Sequence, residues 1–559
     1  MRNAQKIRQT VVTTLLLSSC PALAQQPPDT VASDACENTA MGTSALISNQ
    51  DGTSCSSSGY NTASGWGALS NNTTGTFNTA GGTDALGSNT TGSYNTASGV
   101  DALGFNMTGF NNTASGYRAL SYNSTGSDNT ASGYEALYFN RTGIYNTAFG
   151  SYALSGNLTG SYNTASGSAA LQFNTTGSNN TASGFGALAS NTYGAENSAT
   201  GTNALFLNTA GSDNTASGYD ALYSNTSAVR NTANGYAALY SNTTGPENTA
   251  TGFQALYSNT TGSRNNAVGE GSLYYNEGAS DNNAMGANAL YDNIGGTLNN
   301  AMGNFALEFN TFGNNNNAIG YGSLLNNTTG SDNSAQGYFS LKNNSTGNLN
   351  IGVGYMAGSN LTTGSSNIDI GNAGVAAESG IIRIGTQGAQ SATFVAAIAG
   401  TNINGGTAVV VSASGQLGVI SSSRRYKEDI QPMGAASERI YDLRPVLFRY
   451  RQPDADGKKP VQVGLIAEDV ATVLPNLVVY NSDGQPESVA YHLLPTMLLN
   501  ELQKQHEIVL SQGREIVALK ARASKVDVMA VHLAELERLV AQMTSARADS
   551  AVSRVAFAK

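Results

Sequence analysis

Charge is what this chain has least of. Asp, Glu, Lys and Arg make up 11% of its 559 residues, under half of the usual quarter. Of the 27 Lys and Arg, 18 fall after residue 421 with 17 of the 37 Asp and Glu, so the first 421 residues carry nine basic and 20 acidic side chains. Clustered Lys and Arg of the kind that grips phosphate are missing there, which excludes nucleic acid as a partner. Regularly spaced Asp is missing too, which excludes a calcium-binding β-roll, and no cofactor or metal site is expected. Paired carboxylates in a distinctive setting are also lacking, so a glycan-cleaving site is excluded. Beyond the N-terminal leader, no stretch is long and apolar enough to span a membrane.

What is abundant is glycine, 64 residues, with Asn and Thr in a strict period. The motif N-T-A-S-G-x-x-A-L-x-x-N-T-T-G-S-x starts at Asn61 and recurs in steps of seventeen through Asn78, Asn95 and Asn112 to Asn367, which makes 19 copies. A step held this long means identical turns stacked in a line, since a disordered chain would tolerate insertions. Short extended pieces between Gly and Asn predict the coils of a β-solenoid over 61–375, and stacked Asn and Thr can form hydrogen-bond ladders. At one rung per copy the shaft would be roughly 90 Å long. One Leu and two Ala per copy bury little against the entropy of fixing seventeen backbones, so a lone chain is poorly supported and three-chain association is expected. The motif N-T-A-x-G-x-x-A resembles head repeats of trimeric autotransporter adhesins, although those repeats are shorter. Aromatic residues recur at the sixth position, as in Trp66, Tyr117, Tyr134, Phe185, Tyr219 and Tyr236. Stacking between rungs explains them, and a row of exposed rings could also hold a surface glycan.

Residues 1–24 read as an export signal. Arg2, Lys6 and Arg8 precede the apolar run Val11–Leu17, and Ala22-Leu23-Ala24 supplies small residues before a cut ahead of Gln25. Leu17-Ser18-Ser19-Cys20 resembles a bacterial lipobox, which offers lipidation of Cys20 and an outer-membrane anchor as the alternative. Cys36 and Cys55 would then sit in an oxidising compartment, in a cap over 25–60, where they can pair. The step from Asn38 to Asn61 exceeds the regular one by six, and Cys55 falls in that insertion. The expected location is secreted or cell-surface.

After the repeats, Ile381–Ile384, Phe394–Ile398 and Val409–Val411 read as short strands of a β neck over 376–421, with turns at Asn402–Gly406 and Ser414-Gly415. From Leu493 the pattern turns helical. Leu498, Leu502, Val509, Ile516 and Leu519 keep 3–4 spacing, and Met529, Leu533, Leu536, Val540 and Met543 resume it after a slip. That predicts a coiled coil with a break over 496–545 and a short tail, 546–559. Gln505 and Gln512 fall on its seam, where they can fix register and strand number.

Between neck and helix lies Ser421-Ser422-Ser423-Arg424-Arg425-Tyr426-Lys427, followed by Glu428-Asp429-Ile430, Tyr441–Tyr450, Gly464–Val470, Leu474-Pro475 and Val489-Ala490-Tyr491. The order of these blocks resembles the peptidase S74 domain, the self-cleaving intramolecular chaperone of phage endosialidases and tail spikes, over 422–495. The resemblance implies an α+β chaperone on a tail-fibre-like homotrimer. It implies Ser422 as nucleophile, Lys427 as its general base, and cleavage of the Ser421–Ser422 bond. A lysine takes a proton only when neutral, which requires a desolvated site or a cationic neighbour such as Arg424 or Arg425. Members of that family often carry Asp after the nucleophile, where this chain has Ser423. An uncleaved adhesin with a permanent trimer clamp is the alternative. The overall fold class expected is a mainly β repeat solenoid, a β neck, and an α+β domain ending in a coiled-coil helix.

Overall fold

A computed structural model describes residues 32–33, 36–49, 59–396, 398, 407–412, 414–454, 456–481 and 483–555. The export signal, Cys20, Cys55 and the turn at Asn402–Gly406 lie outside the described residues. Cys36 is disulfide-bonded. The chain divides into two compact units, residues 1–402 and 403–559.

The first unit is a β-solenoid of about 19 turns with a 17-residue repeat. Each coil contributes one strand of three residues, such as Thr62–Ser64, Thr79–Gly81 and Thr96–Ser98. Every strand pairs in parallel with the equivalent strand of the next coil, Ala63 opposite Ala80 and Ala80 opposite Ala97. The two-residue side-chain period sends Ala inward and its neighbours outward. The rest of the coil is turns, and two or three of its non-glycine residues are left-handed. Leu69, Leu86 and Leu103, at the ninth position, all have φ of 52° although that region costs a side chain roughly 1–2 kcal/mol. Glycine would relieve the strain but empty the core, because these leucines are fully buried. At the fifth position glycine is obligatory: Gly116 has φ of +132°, and a Cβ there would lie 2.4 Å from the carbonyl oxygen of Gly133.

Two columns of buried asparagine complete the core. At the first position, Asn78 donates from its backbone N (2.9 Å) and Nδ2 (3.1 Å) to Oδ1 of Asn61, and its Nδ2 also donates to Gly92 O at 2.9 Å. At the twelfth, Asn89 Nδ2 donates to Oδ1 of Asn72 at 2.8 Å and to Gly92 O at 2.9 Å. Threonine joins from outside, Thr73 Oγ1 donating to Thr90 O at 2.8 Å. Alanine, leucine and asparagine are all buried within one chain, so the shaft core closes without a partner. The balance behind the expectation of three chains counted Ala and Leu burial alone, and the expected asparagine ladders add to it from inside the core.

The rings stack along the axis. Tyr219, Tyr236 and Phe253 at the sixth position have centroids 5.5 and 5.1 Å apart. A second column, not read from the sequence, runs at the tenth position from Phe206 and Tyr223 through Tyr240, Tyr257 and Tyr274 to Tyr291, at 5.1–5.4 Å. Stacked rings turn their faces to one another and their edges to solvent. Open faces on which a sugar could lie are therefore lost within these columns, whereas Trp66 and Phe185, with Thr or Ser at the sixth position of both neighbouring coils, have no ring stacked on them and are 57 and 59% exposed. At the last position, ion pairs join successive coils, Arg230 to Glu247 (3.1 Å) and Arg264 to Asp281 (2.6 Å). Such exposed pairs add little stability, but skipping a coil would stack Arg on Arg.

The neck meets expectation at Val410–Val411 and departs from it elsewhere. Ile382–Ile384 pairs in parallel with Ile368–Ile370 and so extends the shaft sheet. Phe394 and Val395 are in no strand, while Val410–Val411 and Leu417–Gly418 form a small antiparallel hairpin in the second unit.

The second unit continues with a 3-10 turn Arg424–Tyr426, a longer one at Gly434–Asp442, and the hairpin Val446–Phe448 with Gln462–Gly464. Helix α1, Ala467–Val473, leads into the hairpin Val478–Tyr480 with Pro486–Val489, and α2 spans Leu494–Val555. Val470, Leu477 and Val489 form its small core. Helix α2 is unbroken across its 62 residues. The slip between Leu519 and Met529 shifts the phase of the apolar stripe and does not interrupt the helix.

Candidate functional site

The site grows from the 3-10 turn at the head of the S74-like segment. Ser423, extended at φ −67° and ψ 140°, caps the turn, its Oγ accepting from Arg425 N at 3.4 Å. Tyr426 N donates to Ser423 O (3.0 Å) and Lys427 N to Arg424 O (3.2 Å). This single tight turn folds Lys427 back over Ser422, whose Oγ receives a hydrogen bond from Lys427 Nζ at 3.2 Å. Serine and aspartate are both good helix N-caps, so Ser423 supplies the capping that aspartate would give at its position. Arg425 bonds Ser423 Oγ through Nε at 3.4 Å and lies over the Tyr426 ring at 5.6 Å. Ser421, Ser422 and Lys427 are exposed in the single chain.

Other titratable groups stand apart. Asp469 pairs with Arg444 at 3.4 Å on the exposed first turn of α1, which also carries Glu468. His492, His506 and His532 are exposed on the 3-10 turn before α2 and on α2 itself. Among the described residues no group of three His, Cys, Asp or Glu could hold a metal ion, and no helix is long and apolar enough to cross a membrane.

Two buried groups escaped the sequence reading. Glu501 on α2 accepts from Ser437 Oγ at 2.5 Å and Lys504 Nζ at 2.8 Å, while Asn500 Nδ2 donates to Ser437 Oγ at 2.5 Å. The Lys504 and Ser437 hydrogen bonds hold the Glu501 carboxyl below its ordinary range. This clamp fixes the root of α2 to the turn Gly434–Asp442. Nothing in the helical pattern marks Glu501 as buried, since it lies beside Leu502 like any solvated acid.

Asp369 was visible in principle, because it replaces the inward alanine of the repeat. It is 1% exposed, and neither carboxylate oxygen has a hydrogen-bond partner. Burial, then the nearby Glu378, push its carboxyl up to about 6 against the opposing pull of Arg383, which is itself paired with Glu378 at 2.6 Å. Below about pH 4 the group is neutral folded or unfolded and its charge costs nothing. Between about 4 and 6 the unfolded chain loses a proton that the folded chain keeps, so stability falls as pH rises. Above that the loss is complete, about 3 kcal/mol at 1.36 kcal/mol per unit. Asp369→Ala is therefore expected to protect the last shaft coils at pH 8 and to confer no advantage at pH 4. Amide exchange around residues 351–384 at the two pH values measures this, and an equal effect at both would refute it.

No curated protein and no solved structure matches the chain. Residues 422–479, which open on the serine of the Ser–Lys pair and run through the hairpin Val446–Phe448 with Gln462–Gly464 and α1, match the family model Peptidase_S74, the chaperone of endosialidase.

Proposed function

We propose that this chain is an exported homotrimeric fibre whose C-terminal domain brings three copies together, templates the shaft and then cuts itself off before Ser422. The observation that carries the reading is the Lys427 Nζ–Ser422 Oγ hydrogen bond at 3.2 Å, placed at the first residue of the segment that matches the S74 family. In the reaction, Lys427 takes the proton of Ser422 Oγ, which attacks the Ser421 carbonyl. The peptide C–N bond breaks, the Ser422 nitrogen is protonated, and Ser421 is left as an ester on Ser422. Water hydrolyses the ester, freeing the Ser421 carboxylate and the Ser422 hydroxyl. The mature product is residues 25–421, secreted or held at the surface for attachment to a glycan or host receptor. Contact with such a partner falls to hydroxyl and amide edges and to the unstacked rings Trp66 and Phe185. Pairing of Cys36 with Cys55 would close the cap at the far end.

Exposure of Ser422 and Lys427 favours a second reading, an adhesin with an uncleaved trimer clamp, because an exposed lysine is not dehydrated. The two converge if association of copies covers the turn. Assembly has its own support: Leu502, Val509 and Ile516 stand exposed on a 62-residue helix, and a stripe of this kind is satisfied by copies of itself. The uncleaved Lys427→Ala chain is expected to have three times the mass of one chain by light scattering. Adding Leu502→Asp and Val509→Asp should return it to one chain mass. A single-chain mass for Lys427→Ala would refute the trimer.

A further inference from the structure

The outward face of the shaft strands changes character partway along. In each three-residue strand the first and third residues point out. From Ser64 to Thr251 the third residue is small or polar in every coil except for Phe149. From Val268 onwards it is apolar, with Met285, Met302, Ile319, Val353 and Ile370 following and Gln336 the one interruption before Ile384. The first residue changes in the same place, from Thr or Ser to Asn, with Ser334 the one return, and then to Ile at Ile351, Ile368 and Ile382. These side chains are exposed or half-buried in the single chain, Ile384 at 72%.

We infer that this lower strand face, from Val268 to Ile384, is where the shaft meets other copies of itself, side by side and in register, while the upper coils stand apart. The inference rests on the homotrimer reading above and names the surface that reading leaves open. Three observations choose a second copy as the occupant. The face repeats once per rung, at about 4.8 Å over eight rungs or about 38 Å. A parallel sheet of the same spacing stays in phase along that length, whereas a helix, with turns of about 5.4 Å, falls a full rung behind. The outward positions carry no acid or base between Val268 and Ile384, which leaves nothing for a charged partner to complement.

The second observation concerns polar groups. Asn266, Asn283 and Asn300 each donate from Nδ2 to Oδ1 of the next asparagine, at 2.8, 2.7 and 2.7 Å, ending on Asn317. These amides are partnered within the chain, so the face can be covered without orphaning them. Third, the apolar character continues past the last strand within the same unit, where Phe394 and Val395 are 94 and 61% exposed. The strip is narrow, two side chains wide and a few hundred Å² in area, below the roughly 800 Å² per partner of a stable interface. It therefore cannot assemble chains by itself. It zips shafts that the C-terminal helix already holds in register, and the polar face above Thr251 ends the zipper.

Single cysteines test this in the full-length Lys427→Ala chain, at Met285→Cys and Met302→Cys on the apolar face and Ser115→Cys at the equivalent upper position. All three point outward, so the shaft folds in each. Under mild oxidation, reducible inter-chain dimers are expected to take most of the 285 or the 302 variant and less than a tenth of the 115 variant. Light scattering on the same samples separates the outcomes. A trimer mass with no enrichment of dimers at 285 and 302 over 115 overturns the interface and leaves the trimer reading intact. A single-chain mass overturns both.

Discussion

Ser422→Ala and Lys427→Ala are each expected to leave one band at full length, whereas the wild type is expected to resolve into a shaft fragment ending at Ser421 and a C-terminal fragment spanning 422–559. In the proposed reaction the serine variant has no nucleophile, and the lysine variant leaves Ser422 Oγ without the group 3.2 Å away that would take its proton. Loss of a general base typically slows a step by roughly 10²–10⁴-fold, which for a once-only cut over hours is the difference between complete and absent. Lys427→Arg separates chemistry from charge: a guanidinium keeps the positive charge and the hydrogen bond but does not give up its proton. It is therefore expected to be as inert as alanine. Ser423→Ala removes the cap of the turn and the acceptor of Arg425 Nε and should slow cleavage without abolishing it, since such a cap contributes about 1 kcal/mol. N-terminal sequencing of the released fragment is expected to begin at Ser422. Cleavage persisting in Ser422→Ala, or beginning at Ser423, would remove the dyad from the mechanism.

The solenoid was legible because its cause is periodic. A strict step of seventeen can only be met by equivalent turns, and alanine between Thr and Ser states which way each strand faces. The contact between Ser422 and Lys427 was within reach of the sequence because the two residues are five apart and the hydrogen bond is made across one turn; the catalytic roles rest on the proposal. What the sequence hid depends on conformation that composition does not encode. Leucine at φ near +52° contradicts the ordinary preference of a branched side chain, and only the closure of the coil demands it. The asparagine ladders were expected, but not that both columns lie fully buried in the core, and the balance of burial against entropy that favoured three chains counted only Ala and Leu. Ile382–Ile384 looked like a neck strand because the step from Ile368 to Ile382, its partner in the sheet, is three short of the regular one, a shortened final turn. The phase slip in α2 resembled a break because periodicity reports the face a helix shows a partner and not its backbone continuity. Glu501 had no signal, since its burial is produced by Ser437, far back along the chain.

Asn163→Ala, in the middle of the shaft, should open the coils around it by about 4 kcal/mol. Asn163 is fully buried. Its Oδ1 is the acceptor for Asn180 N at 3.0 Å and Asn180 Nδ2 at 3.2 Å, and its Nδ2 donates to Asn146 Oδ1 at 3.1 Å and Gly177 O at 2.9 Å. After truncation Asn180 Nδ2 keeps Gly194 O and Gly177 O keeps Asn174 Nδ2. The Asn180 backbone N–H loses its side-chain acceptor inside the core, and an orphaned buried group costs roughly 1–3 kcal/mol, to which the emptied volume adds. Asn163→Asp should be worse at neutral pH. It restores the acceptor but turns Nδ2 into an oxygen facing two carbonyl oxygens and buries a charge with no cation beside it. Ser166→Ala, on the exposed end of the same coil's strand, should stay within about 0.5 kcal/mol of wild type. Because a stacked repeat opens locally, the readout is amide exchange and not a single melting temperature. Asn180 N–H and its neighbours in coils 146–197 are expected to exchange roughly 10²–10³-fold faster in Asn163→Ala, at about 1.4 kcal/mol per tenfold, with coils near Asn316 unchanged. Exchange that stays at the wild-type rate in both Asn163 variants would mean that the ladder is not what holds one rung to the next.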